Sequence, residues 1–256
     1  MNRKLTAVLL ASAIATMSAC DSDDDDDGGA DGDNVIEDGV GGDGDGDGTA
    51  VSEPGTFQIT VTNLTTNQPM TAPVVALHDP AANLFVVGEE SSDAIRDIAE
   101  TGDSTALVAF AADNPELVSD AGVAGETPVT PGSEVTISLS TELEGQVLSV
   151  ANMVICTNDG ISGVDSMALP ADNEPVVVTA LAYDAGTRVN EADSTTFFPP
   201  PCRAGDTIPV VEAVIEDPRQ PIVAHPGQTG VITLSEGVDW DFPAGAEVLQ
   251  IEVTRN

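Results

Sequence analysis

After Lys4 the chain contains no lysine, and its later cations are only Arg96, Arg188, Arg203, Arg219 and Arg255. Seven lysines and arginines face 44 aspartates and glutamates, a formal net charge of −37 over 256 residues. A surface of that sign repels phosphate backbones and anionic headgroups, which argues against nucleic acid as a partner and against electrostatic docking on a membrane. Cations, basic proteins and neutral polymers such as glycans are left as partner classes. Aromatic residues make up only 3% of the chain, too few to line a large ring-stacking pocket. Histidine is almost missing: His78 and His225 stand in unrelated segments, and neither H-E-x-x-H nor G-x-S-x-G occurs. His78 reads as a strand-end residue whose ring makes one hydrogen bond, and His225, before Pro226, as a turn residue. The expectation is a protein that is not an enzyme.

The apolar stretch nearest the N-terminus, Leu5 to Met17, follows the positive segment Asn2-Arg3-Lys4, and together they read as a signal peptide. The stretch falls short of the roughly 20 residues that a spanning helix needs. It ends in Met17-Ser18-Ala19-Cys20, which resembles a lipobox, with Met17 where leucine is usual. Residues 1–20 are therefore expected to direct export, with lipid added to Cys20, anchoring the chain to the cell envelope on its inner or outer membrane. Acyl chains contribute about 0.8 kcal/mol per buried CH₂, so two or three of them hold lastingly.

Residues 21–54 read as a tether. The run Asp23–Asp27 and the alternating glycines and aspartates of 41–48 offer almost nothing to bury, and like charge and glycine entropy both oppose folding. Gly39-Val40-Gly41-Gly42-Asp43-Gly44 fits G-x-G-x-x-G, but no strand precedes it and Asp43 would repel a pyrophosphate. Asp43, Asp45, Asp47 and Gly48 fit the front of an EF-hand loop, yet the closing glutamate position is Pro54 and flanking helices are missing. Neither motif is accepted.

Folded structure is expected over 55–256. Phe57, Ile59 and Val61 alternate with polar residues, the period-2 pattern of a half-buried strand, and the pattern returns at Val135–Leu139 and Leu249–Val253. Longer β-rich runs cover Val147–Cys156 and Val176–Tyr183, and shorter ones Val74–His78, Leu84–Val87, Val210–Ile215 and Gly230–Leu234. Turns such as Pro131-Gly132 and Asn158-Asp159-Gly160 separate them. Many strands punctuated by glycine and proline predict an all-β antiparallel sandwich. One insertion reads as helix: Ser92 caps a segment with Ile95, Ile98 and Ala99 on one face, ending near Gly102, and a second piece follows over 104–112. The pair is expected to cover one end of the sandwich.

These segments carry a resemblance. Phe57–Thr65 and Ala72–Asp79 look like the opening of a spondin N-type domain; Asn158–Asp165 is similar to that family's P-D-W-x-x-G-V-D segment; Tyr183-Asp184-Ala185-Gly186-Thr187 matches its Y-D-A-G-T motif; and Trp240 and Pro243 fit its W-x-x-P element. The likeness spans about residues 55–255 in the family's order. It implies a C2-like, spondin-type sandwich serving as an adhesion or binding module, with an unidentified extracellular protein or glycan as partner. It also implies a calcium site at one end, with Asp159 and Asp184 as ligands and Asp165 beside them. Gly160 stands where the family has tryptophan, and Arg188 where it has an acid, for which Glu191 or Asp193 could substitute. The residues themselves agree in kind, because short acids beside Gly and Asn at strand ends can converge on a cation that takes 6–8 oxygens. They also suit plain turn capping.

Setting Cys20 aside as the lipid carrier leaves Cys156 and Cys202, an even pair that is either bridged or two buried thiols; the exported context favours the bridge. The alternative to a binding module is a structural envelope lipoprotein with no metal or ligand site.

Overall fold

Phe57, Ile59 and Val61 are buried along one face of β1 (Gly55–Asn63), while Thr56 and Gln58 face solvent, so the sequence alternation is realised as a half-buried strand. The computed structural model describes residues 53–188, 202, 219–228 and 240–256. All belong to one unit, Asp47–Asn256. The segments Val210–Ile215 and Gly230–Leu234, expected as strands, lie outside the described residues.

Two groups of antiparallel strands face each other. In one, β1 lies between β4 (Glu134–Thr141) and β11 (Glu247–Arg255), and β11 pairs with β7 (Val176–Asp184). In the other, β2 (Val74–His78) lies between β3 (Val118–Val123) and β5 (Val147–Met153), and β5 pairs with β6 (Gly160–Ala168). A short ladder between β6 and β7 joins the two groups into one nearly closed sheet. β8 (Val223–Ala224) extends the far end of β7, and β9 (Gly227–Gln228) forms a small ribbon with β10 (Phe242–Pro243). The expected all-β antiparallel class is what the structure has.

The main core fills the space between the groups. Phe57, Ile59, Ile251 and Val253 of the first meet Val75, Leu77, Leu148 and Val150 of the second. All five residues of β2 are buried because its outer face is covered as well. There α1 (Asp93–Thr101) sets Ile95, Ile98 and Ala99 against Val74, Ala151, Met153 and Ile161. Ser92 caps α1 by accepting the Ile95 N–H at 3.2 Å, and Gly102 closes it in the left-handed region at φ 71°. Next comes α2 (Thr105–Asp113). The helices thus lie on the outer face of the β2–β5–β6 group, not over an end of the sandwich as expected; the apolar stripe of α1 needs a face, and that outer face supplies one.

Leu84–Val87 is a loop rather than a strand. The N–H groups of Leu84 and Phe85 donate to the Asp165 carboxylate, at 2.6 and 3.3 Å, instead of to a neighbouring strand. Strands β3 and β6 are additions to the sequence reading; Ser119-Asp120-Ala121-Gly122 and Ser162-Gly163 break the alternation that marks the others. Cys156 and Cys202 are bridged, with Cα atoms 5.4 Å apart. Ile155 and Trp240 pack around the bridge.

Candidate functional site

Asp159 ends the turn after β5, and Asp184 is the last residue of β7. The β6–β7 ladder pairs Gly160 with Asp184, which brings the two aspartates to the same end of the fold although 25 positions separate them. Both are buried.

The turn is built locally. Thr157 Oγ1 donates to the Val154 carbonyl at 2.7 Å and accepts the Gly160 N–H at 2.8 Å, closing the loop from which Asp159 projects. Gly160 is required there, since a Cβ would lie 2.4 Å from Thr157 Oγ1. Across from it, Asp184 Oδ1 accepts the Gly186 N–H at 2.8 Å, an Asx-type turn that starts the Ala185–Arg188 loop. That loop wraps onto Asp159, whose Oδ2 accepts from the Thr187 N–H at 2.8 Å, the Thr187 hydroxyl at 3.2 Å and the Arg188 N–H at 3.0 Å. The other oxygen of Asp159, Oδ1, is buried with no hydrogen-bond partner among the described residues.

Electrostatics follow from this geometry. Burial first, and the neighbouring Asp184 charge second, push the Asp159 carboxyl up to about 6 against the opposing bonds from Arg188 and Thr187. Two carboxylates converging in a low-dielectric site repel, and either a proton or a cation relieves them. His225 lies close enough for the Asp184 charge to act on it. Its Nδ1 accepts the Gly227 N–H at 3.1 Å, its ring packs on Phe242 with centroids 4.9 Å apart, and burial holds it below the ordinary imidazole range. Neutral His225 therefore carries its proton on Nε2.

Arg188, which stands where the resembled family has an acid, turns to α1. Its guanidinium meets Glu100 at 3.1 Å, with both side chains largely out of water. This pair ties the Asp159 loop to the helix. Neither it nor the approach of His225 was legible in the sequence, because Glu100 and His225 lie 59 positions before Asp159 and 41 positions after Asp184.

Asp165 was expected as a third ligand, and the structure gives its carboxylate other partners. It sits five residues along β6 from Gly160, roughly 16 Å at the usual strand rise, and its oxygens are already engaged. Oδ1 accepts from Leu84, Phe85 and the Ser149 hydroxyl (3.1 Å), and Oδ2 accepts from the Ser166 hydroxyl at 2.9 Å. Asp165 organises the 79–91 loop, and the Asp159–Asp184 end is formed without it. His78, expected to make one ring hydrogen bond, makes two: Nδ1 with the Asp79 carbonyl at 2.8 Å and Nε2 with Ser149 Oγ at 2.7 Å.

As part of a ligand set the residues fit a hard cation, since Asp159 offers a buried oxygen without a hydrogen-bond partner among the described residues and Asp184 a second buried carboxylate. They do not complete one: no group of three His, Cys, Asp or Glu suited to a metal occurs among the described residues. Glu191 and Asp193, the candidates for a further acid, lie outside the described residues. No family model matches this chain, and no curated protein matches it.

Proposed function

We propose that the chain is an exported lipoprotein, anchored at Cys20, that carries a calcium-binding adhesion or binding module at the end of its acidic tether. The observation that carries the cation reading is Asp159 Oδ1, without a hydrogen-bond partner among the described residues and buried beside the Asp184 carboxylate at the meeting of two strand ends. A bound divalent ion would take Asp159 and Asp184 as ligands, remove their mutual repulsion and fix the Ala185–Arg188 loop. Export and lipidation rest on the N-terminal sequence alone; the Cys156–Cys202 bridge is in keeping with an oxidising compartment.

The test is a thermal melt of the full chain with calcium, with magnesium and with chelator at equal ionic strength. Calcium is expected to raise the melting temperature by several degrees, as ligand linkage requires at concentrations well above the dissociation constant. Asp184→Ala is expected to abolish that rise, and an equal rise in the variant would sink the proposal. For the anchor, Cys20→Ser is expected to move the protein from the detergent phase to the aqueous phase of a membrane extract.

A second reading has its own support. Three donors on Asp159 Oδ2 show a carboxyl already employed in holding the 185–188 loop, as a structural envelope lipoprotein without a metal site would need. Under it the melts would be indifferent to the choice of cation.

A further inference from the structure

Strands β6 and β7 leave the ladder they share. Gly160↔Asp184, Ile161↔Tyr183 and Ser162↔Ala182 pair, and there the pairing stops. In continued register Gly163 would meet Leu181, Val164 would meet Ala180 and Asp165 would meet Thr179. Those six residues instead line an open cleft of about 460 Å³. Beyond the fork, β6 pairs only with β5 and β7 only with β11 among the described residues.

Three features hold the fork open. Ser162 Oγ donates to the Leu181 carbonyl at 3.0 Å, so a side chain closes the last rung. Gly163 lets β6 press onto β5, where a Cβ would lie 1.8 Å from the Val150 carbonyl oxygen; the strand goes to β5 and away from β7. The β5–β6 register then slips between Leu148 and Val150, opposite Asp165 and Ser166, with Ser166 at φ 54°. Bulges of this kind bend a strand and re-aim it beside a site.

Among the described residues both walls are strand edges, and an extended backbone laid between them would find donors and acceptors on either side, the way sheet edges take up peptides. The lining selects the side chains. Phe85, Leu181 and Val87, the last 51% exposed, favour apolar groups. The charge of the described lining is that of Asp165, and Glu247 adds a second carboxylate next to it by accepting the hydroxyl of the lining residue Thr179 at 2.8 Å. No lysine or arginine is among its described lining residues.

We infer that the β6–β7 fork is a docking cleft for a short extended segment of a partner protein, alternating apolar and basic residues, which adds as a strand between the two edges. Three residues on each wall span roughly 10 Å at strand rise, so the recognised core is about three to four residues long. The inference stands apart from the cation reading, because neither Asp159 nor Asp184 lines the cleft and the cleft requires no ion.

The test uses the full chain with chelator present, at salt high enough to suppress adsorption on the acidic residues 21–54. The probe is acetyl-Lys-Val-Lys-Val-Lys-amide, compared with the same peptide N-methylated at both valines. Amide NMR titration is expected to show shifts centred on Gly163–Asp165 and Thr179–Leu181, and affinity about tenfold weaker after N-methylation, since two backbone donors are removed. Val87→Arg, a change at a half-exposed position, is expected to weaken the unmethylated peptide by about tenfold while leaving the melting temperature unchanged. Absence of binding, equal affinity of the two peptides, shifts confined to other segments, or unchanged affinity for Val87→Arg would each overturn the inference.

Discussion

The Oδ2 oxygen of Asp159 and the backbone N–H of Thr187 meet at 2.8 Å, across 28 positions of sequence. That bond, repeated at Arg188, makes the Asp159 carboxyl the peg on which the Ala185–Arg188 loop hangs, while its other oxygen has no described partner.

A pH dependence follows from this peg. The folded-state carboxyl is raised to about 6 from 3.8, mainly by burial and then by the Asp184 charge. On raising pH without divalent ions, the unfolded chain loses this proton near pH 4, whereas the folded chain keeps it until about 6. Stability present at low pH is therefore lost across that window, by an amount on the order of 3 kcal/mol. In Asp159→Asn the side-chain carbonyl can still accept from the loop and nothing titrates there. Denaturant melts in chelator at pH 4 and pH 7 are expected to show this decline in the native chain and a smaller one in the variant. Equal declines would remove the argument.

Asp165 gives a prediction of the opposite kind. Asp165→Ala leaves the Leu84 and Phe85 N–H groups and the Ser149 hydroxyl without their acceptor. A cost of about 2–3 kcal/mol is expected. Hydrogen exchange at Leu84 and Phe85 should accelerate well before global unfolding, because those amides have no strand partner. Any calcium response should survive this change and vanish with Asp184→Ala, which separates the two aspartates by role.

The bridge between Cys156 and Cys202 spans 46 positions and lies buried against Ile155 and Trp240. Reduction is expected to destabilise the domain by up to about 4 kcal/mol on the chain-entropy account. In a Cys20→Ser chain, thiol titration should find no free thiol until reductant and denaturant are both present.

Ile98 of α1 tests the helical insertion. Its side chain is 2% exposed within the cluster against the outer face of β2 and β5. Ile98→Ala is expected to cost about 2–5 kcal/mol, read as a lower denaturant midpoint with unchanged slope.

Much of the architecture is written locally. The alternation at Phe57–Val61, Val135–Leu139 and Leu249–Val253 gave β1, β4 and β11, which lie side by side, and Ser92 with Gly102 framed α1. Leu84–Val87 has strand-forming residues, yet Asp165, 81 positions from Leu84, takes its first N–H groups. β6 was hidden because Gly163, which breaks the pattern, is there to let two backbones touch.

The sequence by itself determined the class of fold, the ends of α1, the even count of two cysteines left after Cys20 and the nearness of Asp159 to a turn, because periodicity, capping and parity act over a few residues or over simple counts. Tertiary structure alone decided that Asp159 and Asp184 share an end while Asp165 serves a loop, that Arg188 finds Glu100, and that β6 parts from β7. Those outcomes depend on register and close approach between segments far apart in the chain, and no local pattern encodes which strand edges meet and which are left open.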